Sequence, residues 1–194
     1  MSADEKTTGL NKPLYKELLF SEEEVDARII EMAADIIQNY DPKDTLFVCL
    51  LNGAQPFTAK LMQSIHVLDP YFQPNVQSMI VSRYGPSREP GPLRLITDLP
   101  PNYRDLTGLH VILLDDLIDV GDTLDYAKEH LLKYGAKQVD SVVLVRKHKD
   151  PEIQGVTMYG FEAPDFWLTG MGMDDERLGP EGNRWAGWIA IANQ

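Results

Sequence analysis

The chain has 194 residues, enough for one sizeable core, and its 43% apolar and 25% charged content is that of an ordinary folded domain. A net charge of −12 argues against non-specific nucleic-acid binding, which needs Lys and Arg, but leaves room for a small phosphorylated ligand held by backbone N–H groups and a divalent cation. No apolar run approaches the roughly 20 residues that span a bilayer, MSADEKTTGLNKP has no apolar leader, and a lone Cys49 gives neither disulfide nor thiol metal site, so a cytoplasmic protein without membrane or nucleic-acid partners is expected.

SEEEVDARIIEMAADIIQNY opens with the capping-box pair Ser21 and Glu24. Val25, Ile29, Met32, Ala33, Ile36 and Ile37 follow at helical spacing, which predicts an amphipathic helix ended by Asp41 and Pro42. TLFVCLL predicts a buried strand, with Cys49 as a small core residue. NGAQP breaks it, and Pro56 stands near the start of the next helix. NVQSMIVSRY is a second strand. From Gly85 to Gly108 the chain is rich in Pro, Gly and charge, which predicts a mobile loop over about 83–107 in which LRLIT could form a short strand. HVILLDD is then a strand, TLDYAKEHLLKYGA a helix closed by Gly135, and QVDSVVLVRK another strand. Beyond it lie short strand-like pieces broken by Gly and Pro. Strands alternating with helices predict one α/β domain over 1–194, a mainly parallel sheet flanked by helices, with a small hood from about 1–20 and 160–194.

The segment VILLDDLIDVGDTL carries the chemistry. Asp115, Asp116 and Asp119 crowd behind a buried-type run, and like charges so placed are costly unless a metal or a set of hydroxyls meets them. Ligands of an open α/β sheet sit beyond the carboxyl ends of its strands, where these residues fall. Gly121 permits a tight turn, and the helix expected from near Thr123 offers free N–H groups to an anion. Carboxylates for hydroxyls and Mg²⁺ beside a phosphate cradle suit a phosphorylated sugar. DDLID also matches the DDxxD diphosphate motif of isoprenoid synthases, but that motif lies on a helix, whereas here it follows an apolar β-type run and is cut by Gly121.

HVILLDDLIDVGDTL resembles the phosphoribosyl-diphosphate (PRPP) motif of type I phosphoribosyltransferases, an apolar strand followed by E-D-I-I-D-T/S-G-x-T. LFVCLLNGAQPFTAKL resembles the strand and L-K-G-G turn of that family's hypoxanthine-guanine branch. MIVSRYG is similar to its V-S-S-Y-G segment, VVLVRK to the strand ending in its purine-reading lysine, and APDFWLTGMGMD to I-P-D-x-F-V-V-G-Y-x-x-D. In the family's order these segments span most of residues 45–191.

The resemblance implies a type I phosphoribosyltransferase fold and transfer of phosphoribosyl from PRPP to a 6-oxopurine (hypoxanthine, with guanine or xanthine as further bases), giving a nucleoside monophosphate and pyrophosphate with Mg²⁺. It implies Asp115 and Asp116 at the ribose hydroxyls and, with Asp174, around the metal. Asp119 would be the general acid/base at purine N7. Val120, Gly121, Asp122 and Thr123 would wrap the 5′-phosphate, while Asn52, Gly53 and Arg184 (Arg177 the alternative) meet pyrophosphate. Lys147 would donate to the O6 of the base, Trp167 stack on it and the Leu168 backbone read its edge. Ser82, Arg83 and Tyr84 would begin the mobile loop. A homodimer or homotetramer is also implied. The chain departs from the family at Asp115 for Glu, Val120 for Thr or Ser, Asp122 for Lys or a neutral residue, Asn52 for Lys and Arg83 for Ser, and in a longer Asp174-to-Arg184 spacing. These changes keep a second reading open, a regulatory protein that senses PRPP or a nucleotide with weak turnover or none.

Overall fold

The computed structural model describes residues 13–84, 90–148 and 155–193. Strand β1 (Glu17–Phe20) leads into helix α1 (Glu22–Asn39), where Ser21 Oγ accepts from the Glu24 N–H and the Glu24 carboxylate accepts from the Ser21 N–H. The capping box therefore forms as its spacing requires. Strand β2 (Thr45–Leu50) is buried throughout, and α2 (Gln55–Leu68) follows with Pro56 in its first turn, where a missing N–H costs nothing. Strands β3 (Asn75–Tyr84), β4 (Pro90–Thr97) and β5 (His110–Ile118), helix α3 (Asp122–Lys133), and strands β6 (Gln138–Lys147) and β7 (Met158–Ala163) complete the main layer.

The six-stranded sheet runs β4-β3-β2-β5-β6-β7, with every neighbouring pair parallel except β3 and β4. Alternation along its central strands feeds two cores. Phe47, Ile112 and Leu114 pack with Val25, Ile29 and Met32 of α1 and with Phe57 and Leu61 of α2. Leu46, Val48, Val111 and Leu113 pack on the other face with Leu124, Ala127 and Leu131 of α3. Leu99 and Leu106, in the crossover after β4, are fully buried on that second face. A separate antiparallel sheet joins β1, β9 (Ile189–Ile191) and β8 (Leu168–Thr169), so segments from near both chain ends meet above the main layer. Among the described residues no helix is long and apolar enough to cross a membrane.

The expected boundaries shift at several places. Much of the loop expected at about 83–107 is ordered pairing: β4 lies antiparallel to β3, with Val81 opposite Leu95 and Ser82 opposite Arg94. Pro90 and Pro92 are tolerated because β4 is an edge strand. The hood expected from residue 160 starts later, since β7 pairs with β6 in the main sheet. Strand β5 continues through Asp115 and Asp116 to Ile118, held by its ladder with β6. Helix α3 is entered through Gly121 at φ 91°, leaving Thr123 within the first turn rather than at its cap. The expected hood residues 1–12 lie outside the described residues.

Candidate active site

Because β2, β5 and β6 are parallel, their carboxyl ends share one edge of the sheet. A pocket of about 250 Å³ opens at this edge, lined by Asp116 and Leu117 of β5, Asp119 just beyond it and Lys147 of β6. Trp167, Leu168, Met173 and Asp174, from the segment around β8, line its other side. Non-local strand order thus gathers residues that stand far apart in the chain.

Asp115 and Asp116 are partly buried neighbours, and the Asp116 N–H donates to Asp115 Oδ1 at 3.1 Å. Burial, then the charge of Asp116, holds Asp115 well above the usual carboxylate range. Burial also pushes Asp116 up, against the opposing pull of hydrogen bonds and of Arg184. Asp116 stands in the pocket lining and Asp115 outside it, although their carboxyl groups lie within hydrogen-bonding reach of each other.

The turn after β2 presses directly on Asp116. A Cβ on Gly53 would come within 2.5 Å of Asp116 Oδ1, and one on Gly172 would strike the Gly53 carbonyl oxygen and lie 2.7 Å from Asp116 Cβ. Gly172, at φ 111° and against backbone, therefore requires glycine, whereas a side chain at Gly53 would have to displace the Asp116 carboxylate. The Leu51–Asn52 peptide in this turn is cis. The N–H groups of Leu51, Ala54 and Gln55 donate to Met79, Leu50 and Asn52 carbonyls, whereas those of Asn52 and Gly53 have no backbone acceptor among the described residues. A pair of N–H groups at the sheet edge can receive an anion.

Arg184, only 12% exposed at its side chain, ion-pairs with Asp174 at 3.2 Å and with Glu181, and donates to the Gly172 carbonyl. Its positive charge is thereby fixed beside Asp116 and Asp174. Arg177 is instead engaged with the buried Asp175 carboxylate, which takes both its Nε and an Nη. Of the two arginines considered from sequence, Arg184 is the one paired with a residue of the pocket lining, Asp174.

Lys147, 7% exposed, places Nζ 3.5 Å from Asp119 Oδ2 and 3.2 Å from Asp165 Oδ1. Trp167 is 62% exposed despite lining the pocket, so packing does not account for its indole, and its carbonyl accepts from the Ala192 N–H. Leu168 is buried and paired with Ile191. Leu117, Met173 and Asp165 are site residues that the sequence reading did not name.

Other expected residues stand apart from the lining. Val120 is 63% exposed, and Asp122 is exposed in the first turn of α3 with Thr123 behind it. Amides of such a first turn have no helical acceptor and can receive an anion. Ser82 is half-buried near the end of β3; Arg83 and Tyr84 belong to that strand by backbone, and their side chains lie outside the described residues. Among the described residues no group of three or more His, Cys, Asp or Glu side chains that could hold a metal ion occurs, and Asp174 ion-pairs with Arg184.

Residues 19–176 match the phosphoribosyl transferase domain family, most of the chain, and the protein belongs to that family. Its relatives include the hypoxanthine-guanine phosphoribosyltransferases of Dictyostelium discoideum (30% identical, covering 83% of this chain and 88% of that one) and Bacillus subtilis (32%, covering 82% and 85%). These place it in the family's hypoxanthine-guanine branch. The structure is similar to the crystal structure of a Bacillus anthracis hypoxanthine-guanine phosphoribosyltransferase, with TM-score 0.75 and 26% identity over 92% of this chain and 99% of that one. It shares its fold with a Staphylococcus aureus hypoxanthine phosphoribosyltransferase at TM-score 0.78 and 23% identity, over 95% and 97% of the two chains.

Proposed function

We propose that this chain is a purine-salvage phosphoribosyltransferase that transfers the 5-phosphoribosyl group of PRPP to a 6-oxopurine, hypoxanthine first, with guanine or xanthine as further acceptors. The observation that carries the reading is the buried Lys147 ammonium at the same pocket as Asp119 and Trp167. A cation here donates to a carbonyl O6 and finds no acceptor on the amino group of adenine. In the reaction the bond from ribose C1 to the pyrophosphate oxygen breaks, a bond from C1 to a purine nitrogen forms, and Asp119 takes or returns the proton at N7. Charge develops at C1 as in glycoside chemistry, so rigid placement of sugar and base supplies much of the rate.

Asp115 and Asp116 accept from the ribose 2′- and 3′-hydroxyls. The Val120–Thr123 turn wraps the 5′-phosphate, while the Asn52 and Gly53 N–H groups and Arg184 receive pyrophosphate. Ser82, Arg83 and Tyr84 lead into a loop that closes over the reacting centre. The donor set fits Mg²⁺: crowded carboxylates without a three-ligand cage suit an ion that keeps waters and completes its shell with substrate oxygens. Asp115, Asp116 and Asp174 would hold it, and it supplies positive charge to the diphosphate leaving group. A homodimer or homotetramer in the cytoplasm completes the proposal. The exposed Asp122 in the phosphate turn favours a second reading, a PRPP- or nucleotide-sensing regulator.

The test offers hypoxanthine, guanine, xanthine and adenine separately with PRPP and Mg²⁺. Nucleotide should form from a 6-oxopurine with kcat/KM about 100-fold or more above adenine, and Lys147→Met should erase most of that ratio. Equal use of adenine would refute the base assignment.

A further inference from the structure

Register places Asp165 beside the purine-reading lysine. Lys147 ends β6, and its ladder partner on β7 is Ala163, the last residue of that strand. The chain then turns at Pro164, with the Phe166 N–H donating to the Pro164 carbonyl at 2.8 Å, and the His148 N–H donating to Ala163 at 2.7 Å fixes the other side of the junction. Asp165 is carried back over the end of β6. On the opposite flank Ile118 pairs with Arg146, so Asp119 leaves β5 one step beyond, level with Lys147. The ammonium consequently lies between carboxylates from both neighbouring strands, 3.2 Å from Asp165 and 3.5 Å from Asp119.

These two carboxylates are placed differently. Asp119 lines the pocket, whereas Asp165 stands outside its lining and reaches the site through Lys147. A four-carbon side chain with a compact charged head goes to its strongest anionic partner. With Asp119 alone beside it, the ammonium would settle on that carboxylate and close the space in which a base must touch both. A second carboxylate behind it divides the attraction and keeps Nζ facing the pocket.

Resting on the proposed purine reading, we infer that Asp165 is a positioning residue: it holds the Lys147 ammonium off Asp119 and toward O6 of the purine, and so sets affinity for the base without touching it.

Calorimetry with IMP and with ribose 5-phosphate, which lacks a base, separates this role from a structural one. Asp165→Asn should weaken IMP binding about fivefold and leave ribose 5-phosphate within about twofold, and Asp165→Glu should recover most of the loss. In a Lys147→Met background, Asp165→Asn should change IMP binding no further, since the two residues act as one unit. Unchanged IMP affinity in Asp165→Asn, an equal loss for both ligands, or a full loss in the Lys147→Met background would overturn the inference while leaving the purine reading in place. Wild-type protein that binds IMP no more tightly than ribose 5-phosphate would instead remove the purine reading, and this inference with it.

Discussion

At the scale of single residues, the site depends on how closely backbone can approach carboxylate. Gly53 and Gly172 leave the space that Asp116 fills. In Gly53→Ala the new methyl must displace Asp116 or the turn that bears it. We expect KM for PRPP to rise about tenfold, with a smaller change in the KM for base. An unchanged KM for PRPP would show that the turn relaxes without cost. The sequence named most residues at the pocket because they sit in short contiguous patterns, VILLDDLID and APDFWLTGMGMD above all. Asp165 lay in plain view inside the second of these. Its role was illegible because it depends on the β6–β7 register, which no local pattern encodes.

Elements follow the same logic. Helix α1 was readable from both its cap and its apolar stripe, and both appear in the structure. Ser21→Ala removes the acceptor for the Glu24 N–H and should cost about 1 kcal/mol, lowering Tm by roughly 2–4 °C. A melting curve identical to wild type would mean that the exposed cap contributes nothing measurable. Strand β4 was harder to read, since its Pro- and Gly-rich sequence signals a loop and only an edge position with one partner admits it. Strand β5 extended past its apolar run because the ladder with β6 continues through Leu117 and Ile118. Tertiary pairing, not local composition, fixed both ends.

For the whole molecule, pH sets structural carboxylates against those at the site. Burial alone would raise Asp98 and Asp140, but hydrogen bonds outweigh it, from Tyr134, His130 and the Leu99 N–H to Asp98 and from Gln138, Tyr40 and His110 to Asp140. Both are held below the usual range, so their stabilisation is present above the unfolded value of about 3.9 and is lost as pH falls through the folded value. Asp115 is shifted the other way: ionising it costs the folded state more than the unfolded one, and that cost is absent below about pH 4 and grows above it. Without divalent cation or ligand, Asp115→Asn should therefore raise stability at pH 7 by about 0.5–2 kcal/mol, with the gain vanishing near pH 4. A gain independent of pH would contradict this assignment. The most direct measurement is IMP formation from PRPP and hypoxanthine with Mg²⁺, run for wild type and Asp119→Asn alongside calorimetric PRPP binding. The account predicts IMP and pyrophosphate in equal amounts, a kcat lowered about 10²–10⁴-fold in the variant, and PRPP bound by both proteins. PRPP bound with no IMP formed by the wild type would contradict it and establish a sensor.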